Sequence, residues 1–145
     1  MKELKLVIDA NILVSAYSSN GRIREAWRDG LGTHQLVISP EIFAEVERNL
    51  RQAQFHLSHD QIQVCLRDIL ERCDLIRPRA KYTGTISDEK DRHLINVGLE
   101  VHADIIITGE SSLLREKEIA GIRISRFHDF VQDRSKTEIL HQKSG

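Results

Sequence analysis

The sequence predicts an α/β fold, a three-layer α/β/α sandwich around a central parallel sheet, and three observations carry that expectation. Short runs rich in Ile, Val and Leu alternate with longer segments whose apolar residues recur at helical spacing. The runs are continuously apolar rather than alternating, which suits strands buried on both faces between layers of helices. Acidic residues stand just past two of these runs, at the carboxyl edge where an open parallel sheet binds its ligands.

Taken in order, residues 4–8 (Leu-Lys-Leu-Val-Ile) form a strand that ends at Asp9. Residues 10–17 follow as helix until Ser-Ser-Asn-Gly breaks it, and a short helix is expected over about 22–29, before Gly30 and Gly32. Residues 35–38 are the second strand. Ser39-Pro40-Glu41 then starts a helix, with Ser as N-cap, Pro at the first helical position and an acid in the first turn. Its apolar stripe is Ile42, Phe43, Val46, Leu50 and Ala53, which leaves Glu45 at the stripe's edge and Arg48 and Arg51 on the charged side. Ser58 to Gln61 is a capping box in front of Ile62, Leu66, Ile69 and Cys73, the marks of another amphipathic helix. A short strand over 75–78 and a polar loop over 81–86 come next. From Ser87 or Asp88 a helix carries Leu94, Ile95, Gly98 and Val101 on its core face, and Asp91 falls on that same face. Residues 103–108 are the most strand-like run, ending at Gly109-Glu110. A short helix over 111–118, a last strand over 122–124 and a turn of helix over 127–131 complete one domain, residues 1–131, followed by a polar tail, 132–145.

A chain of 145 residues is long enough to bury a core without disulfides or a structural metal. With 40% hydrophobic and 30% charged residues it is globular rather than disordered. The net charge of -1 neither supports nor excludes nucleic acid, because active-site acids can offset a basic rim. Cys65 and Cys73 fall in one helical pattern, more than about 10 Å apart along the axis, too far for a disulfide. No run of about 20 apolar residues could span a bilayer, and the apolar run before Asp9 is too short for a secretion signal, so a cytoplasmic protein without a membrane segment is expected.

Asp9, Glu45, Asp91 and Glu110 are the candidate catalytic acids. Carboxylates gathered at one sheet edge repel one another and raise one another's pKa unless a cation neutralises them. Hard oxygen ligands suit Mg²⁺ or Mn²⁺, and such ions support attack of water on a phosphodiester. Asp9, Asp91 and Glu110 are the expected metal ligands, with Glu45 in reach and Asn11, Thr108 and Ser112 as supporting polar groups. Singly, each acid has an ordinary alternative as a helix cap, a dipole partner or a solvated loop residue. Their joint placement is what points to a site. Asp88 is better read as an N-cap and Asp104 as structural. Arg22, Arg24 and Arg48 are candidate RNA contacts, with a solvated helix face as the competing reading.

Other chemistries lack their marks. Asn11 stands where an aspartyl-phosphate phosphatase wants a second Asp, and a receiver's acidic pair and late Lys are missing. There is no phosphate-binding glycine loop, no companion set for zinc around His56 and His59, and no nucleophile elbow. His93 and His102 are expected to be surface or partly packed residues rather than catalytic ones.

Four segments together resemble the PIN-domain nucleases: Val-Ile-Asp-Ala-Asn-Ile-Leu-Val-Ser-Ala, Ser-Pro-Glu-Ile-Phe-Ala-Glu-Val, Asp-Glu-Lys-Asp before a helix, and Ala-Asp-Ile-Ile-Ile-Thr-Gly-Glu-Ser-Ser-Leu-Leu. The likeness covers about residues 4 to 131 and is nearest to the prokaryotic, VapC-like toxin components of toxin-antitoxin pairs. It implies Mg²⁺- or Mn²⁺-dependent hydrolysis of RNA, a homodimer and an antitoxin protein as partner. By position, Asp9, Glu45 and Asp91 match the family's first three acids, and Asn11 and Thr108 its usual polar neighbours. The fourth acid is usually Asp, and here it is Glu110; Ser112 stands where a further Asp often follows. That departure leaves an alternative open, a weakly active or inactive PIN-fold module that binds RNA or a protein partner.

Overall fold

The apolar runs fold as strands β1 (Lys5–Ile8), β2 (Gln35–Ile38), β3 (Cys73–Leu75), β4 (Ile105–Ile107), β5 (Glu118–Ile119) and β6 (Ile122–Ser125) in a computed structural model that describes residues 3–18, 27 and 31–132. They form one sheet in the order β3-β2-β1-β4-β6-β5. Every pairing is parallel except that of β5 with β6. The first strand in sequence is therefore central, with Val7 aligned on Val37 at one side and Ile106 at the other.

Helices α1 (Ala10–Ser18), α2 (Pro40–Leu50), α3 (His59–Arg72), α4 (Arg92–Val101) and α5 (Ser111–Leu114) connect the strands, and residues 127–132 are helical. The steps from β1 to β2 and from β2 to β3 run one way across the sheet, while the step from β3 to β4 runs back. Right-handed crossovers then put the two sets of helices on opposite faces, giving the three-layer α/β/α sandwich. Leu6, Val7, Ile8, Val37, Ile38, Ile106 and Ile107 are wholly buried between the layers, each contributing about 1.5–3 kcal/mol relative to an exposed side chain. Gly98 lets α4 lie close to the sheet, since a Cβ there would stand 2.7 Å from Ile122 Cδ1.

Helix starts follow the local chemistry. Ser39 Oγ accepts the Ile42 N–H at 3.1 Å with Pro40 at the first helical position, and Ser58 and Gln61 close a reciprocal capping box. Asp88 caps a 3₁₀ turn, Glu89–Asp91, that leads into α4. The stripe of α2 buries Ile42, Val46 and Leu50 and leaves Glu45 half-buried at its edge.

Several boundaries differ from expectation. Cys73 does not belong to α3 but opens β3, so the strand lies at Cys73–Leu75 rather than 75–78; burial of Cys73 is satisfied by pairing with Leu36. No disulfide joins Cys65 and Cys73. The helix expected over 111–118 stops at Leu114, and Glu118 enters a β5–β6 hairpin. The helix expected at about 22–29, with Arg22 and Arg24, lies outside the described residues apart from Trp27, as does the tail beyond Gln132. Trp27 is buried and donates its indole N–H to the Tyr17 hydroxyl at 3.0 Å. Among the described residues, no helix is long and apolar enough to cross a membrane.

Candidate active site

Asp9 is placed by the backbone on both sides of it. Its N–H donates to the Ile107 carbonyl at 3.0 Å, extending the β1–β4 ladder, while its own carbonyl accepts from Ile12 at 3.1 Å as α1 begins. The residue is 5% exposed, and Thr108 Oγ1 donates to its Oδ2 at 2.7 Å. Burial holds the Asp9 carboxyl above its ordinary value, and the Glu45 charge pushes the same way. The Thr108 hydroxyl, the Ala10 N–H and His93 act against that rise.

Thr108, wholly buried just past β4, joins two of the acids. Besides donating to Asp9, its hydroxyl accepts the Glu110 N–H at 3.1 Å. Glu110 stands in the N-cap position of α5, yet its side chain makes no capping bond and instead lies 3.5 Å from Asn11 Nδ2, a long contact. Its carboxyl is raised by partial burial first, then by the negative charges of Asp91 and Asp9, with Lys90 opposing.

Asp91 comes from the other direction, in the 3₁₀ turn before α4. It is 4% exposed, and Ser112 Oγ on α5 donates to its Oδ2 at 3.0 Å. The charges of Asp91 and Asp9 thus both act on Glu110; Asp9 and Glu110 follow the adjacent strands β1 and β4, Asp91 stands in the turn before α4, and Glu45 acts on Asp9 from α2. Among the described residues, however, no three acids, histidines or cysteines converge closely enough to hold an ion as they stand. Asp9 and Asp91 are each turned onto a hydroxyl. The donor set still fits a hard divalent cation: it is all oxygen, and the charges of Asp91 and Asp9, which add to the effect of burial on Glu110, are a repulsion that a cation would relieve.

His93, expected to be a surface or partly packed residue rather than a catalytic one, is partly packed and acts on Asp9. Its side chain is 17% exposed, and its Nδ1 is buried with no hydrogen-bond partner among the described residues, 4.0 Å from Glu41 Oε2. Two positions after Asp91 on a helix, it carries no periodicity signal that would separate it from a surface residue. Arg48 is exposed on α2, and Arg51 is held by Glu47 at 3.2 Å.

A doubly covered sheet, parallel but for one edge strand, with carboxylates collected past its central strands, is the plan of an α/β protein that works at its carboxyl edge. The chain belongs to the PIN domain family, whose pattern matches residues 5–112, from the first residue of β1 to the serine that holds Asp91. Its fold is similar to that of VapBC2 from Rickettsia felis, solved bound to a DNA fragment from their promoter, at 18% identity over 85% of this chain and 98% of that one, with a TM-score of 0.62. It is similar also to VapBC-1 from nontypeable Haemophilus influenzae, at 16% identity over 86% of this chain and 99% of that one, with a TM-score of 0.60. No curated protein matches the chain.

Proposed function

We propose that this protein is a metal-dependent endoribonuclease and the toxin component of a toxin-antitoxin pair. The observation that carries the proposal is the placing of Asp9 and Glu110 just past the adjacent strands β1 and β4, joined through the Thr108 hydroxyl, with Asp91 held by Ser112 of the following helix, in a PIN-domain chain. Asp9, Asp91 and Glu110 would hold Mg²⁺ or Mn²⁺, with Glu45 as a further ligand or a water-orienting group. When bound, the ion activates water and stabilises charge on the phosphate oxygens. The chain's own part is orientation: Thr108 fixes Asp9, Ser112 fixes Asp91, and Asn11 is within long reach of Glu110. The fold shared with the two VapBC complexes supports an antitoxin as protein partner, and a homodimer is the expected assembly.

The test is cleavage of RNA by purified protein with Mn²⁺, stopped by EDTA. Asp9→Asn should depress cleavage severely while leaving the fold intact. Cleavage by Asp9→Asn at the wild-type rate, in a preparation free of contaminating nuclease, would falsify the assignment. The antitoxin is tested by co-expressing the small neighbouring reading frame and asking whether its product copurifies and suppresses cleavage. One observation favours the second reading, a binding module with little turnover: the acids do not close on a common point, and the fourth is the longer Glu110.

A further inference from the structure

We propose that the cleft along β6 and past its carboxyl end, lined by Arg123, Ser125 and Arg126, is a phosphodiester-binding subsite that holds the RNA strand near the acidic group. The proposal rests on the ribonuclease reading above and extends it to the path of the substrate. A polyanion approaching several carboxylates needs fixed cations close by, and among the described residues Lys90 and Arg92, which flank Asp91, are already engaged. Lys90 pairs with Asp88 at 3.5 Å. Arg92 grips both oxygens of Glu89 at 2.7 and 2.8 Å and donates to the carbonyls of Tyr82 and Gly84.

The β6 cleft is different. It encloses about 600 Å³, and Asp129 and Gln132 complete its polar wall. That volume is in the range of ordinary ligand sites. Arg123 and Arg126 are exposed and have no ion-pair partner among the described residues, although Glu118 is the cross-strand neighbour of Arg123. Planar guanidiniums free of carboxylates are suited to bidentate contact with phosphate oxygens. The cleft also lies near the acids. β6 pairs with β4, and the Ser125 carbonyl accepts the Thr108 N–H at 3.0 Å, so the cleft is one strand spacing, about 4.8 Å, from the residue that holds Asp9 and two spacings from the end of β1, where Asp9 stands. A strand whose scissile phosphate sits at the acids would place a neighbouring phosphate against β6. Asp129 shares the cleft and opposes a polyanion.

The test is binding of a labelled single-stranded oligouridine of about 12 nucleotides in EDTA, followed by fluorescence anisotropy over a range of salt. Arg123→Ala and Arg126→Ala should each weaken binding by about 3- to 10-fold and lower the log–log salt slope by about 0.7 per lost phosphate contact. Arg126→Lys should lose less than Arg126→Ala, because the charge stays while the bidentate contact goes, and Asp129→Asn should increase the affinity. Arg67→Ala, on α3 near the opposite edge, should bind as wild type does. If the Arg123/Arg126 double alanine variant binds within about twofold of wild type at an unchanged slope, the subsite is wrong. That result leaves the nuclease reading standing wherever wild type still cleaves RNA with Mn²⁺ and Asp9→Asn does not. If instead the arginine variants behave as expected but no Asp9-dependent cleavage exists, the subsite stands and the nuclease reading falls.

Discussion

At the scale of single residues, the site depends on how its carboxylates are kept apart and kept charged. Glu110 carries an extra methylene where the family resemblance implies Asp, and this is where enzyme and binding module separate. In an active nuclease Glu110→Ala should lose cleavage and Glu110→Asp should retain or increase it; in an inactive binder wild type and Glu110→Ala are equally silent. Equal, metal-independent cleavage by all three proteins sinks both readings. Asp9 and Glu110 both have folded-state pKa values above the ordinary 3.8 and 4.5, chiefly through burial. The folded state therefore holds their protons more tightly than the unfolded chain does, and their contribution to stability falls as pH rises from those ordinary values through the raised ones. Urea unfolding in EDTA from about pH 4 to about pH 8 should show this decline, flattened by Asp9→Asn and by added Mn²⁺. A profile identical in Asp9→Asn would mean that Asp9 contributes nothing to it. The positions of Asp9, Asp91 and Glu110 were legible in the sequence because strand ends and helix faces are periodic. That His93 is partly packed was within what the sequence allowed, but its buried Nδ1, without a hydrogen-bond partner among the described residues, was not legible, being a property of packing alone.

At the scale of elements, strong patterns transferred and weak ones did not. The second strand at 35–38 and the starts of α2 and α3 were readable because apolar runs and capping residues act over a few neighbouring positions. β3 was misplaced by two residues, since helical spacing carried through Cys73 and nothing local marks the point where a helix ends directly in an edge strand. The β5–β6 hairpin was missed for a more specific reason. Its two-residue turn, Ala120-Gly121, has positive φ at both positions, 54° and 84°, as a type I′ turn requires, yet Ala is a poor residue there. Ala120→Asn should stabilise the protein by about 0.5–1 kcal/mol, because Asn tolerates the left-handed region better than Ala does. Urea unfolding of the two proteins decides it, and an Asn variant less stable than wild type would show that the turn is held by something other than local preference.

At the scale of the whole molecule, a cation that binds only the folded state must raise its stability, by about 2.7 kcal/mol at a hundredfold excess over Kd. For a domain of this size that is a rise in Tm of several degrees, roughly 2–4 °C per kcal/mol. Asp9→Asn should lose most of the gain, and a wild-type Tm indifferent to millimolar Mn²⁺ counts heavily against the site. The central place of β1 has a consequence of another kind. It precedes the other described strands in the chain, yet one of its two neighbours is β4, aligned from Ile105 to Ile107, and the hydroxyl that holds Asp9 belongs to Thr108. Pairing over such a separation waits on the closing of a long loop. A chain still growing on the ribosome, or one cut short near residue 100, carries Asp9, Glu45 and Asp91 with no framework to assemble them. The acids are thus kept unassembled in the nascent product by the order of its strands, and come together only after β4 has been made.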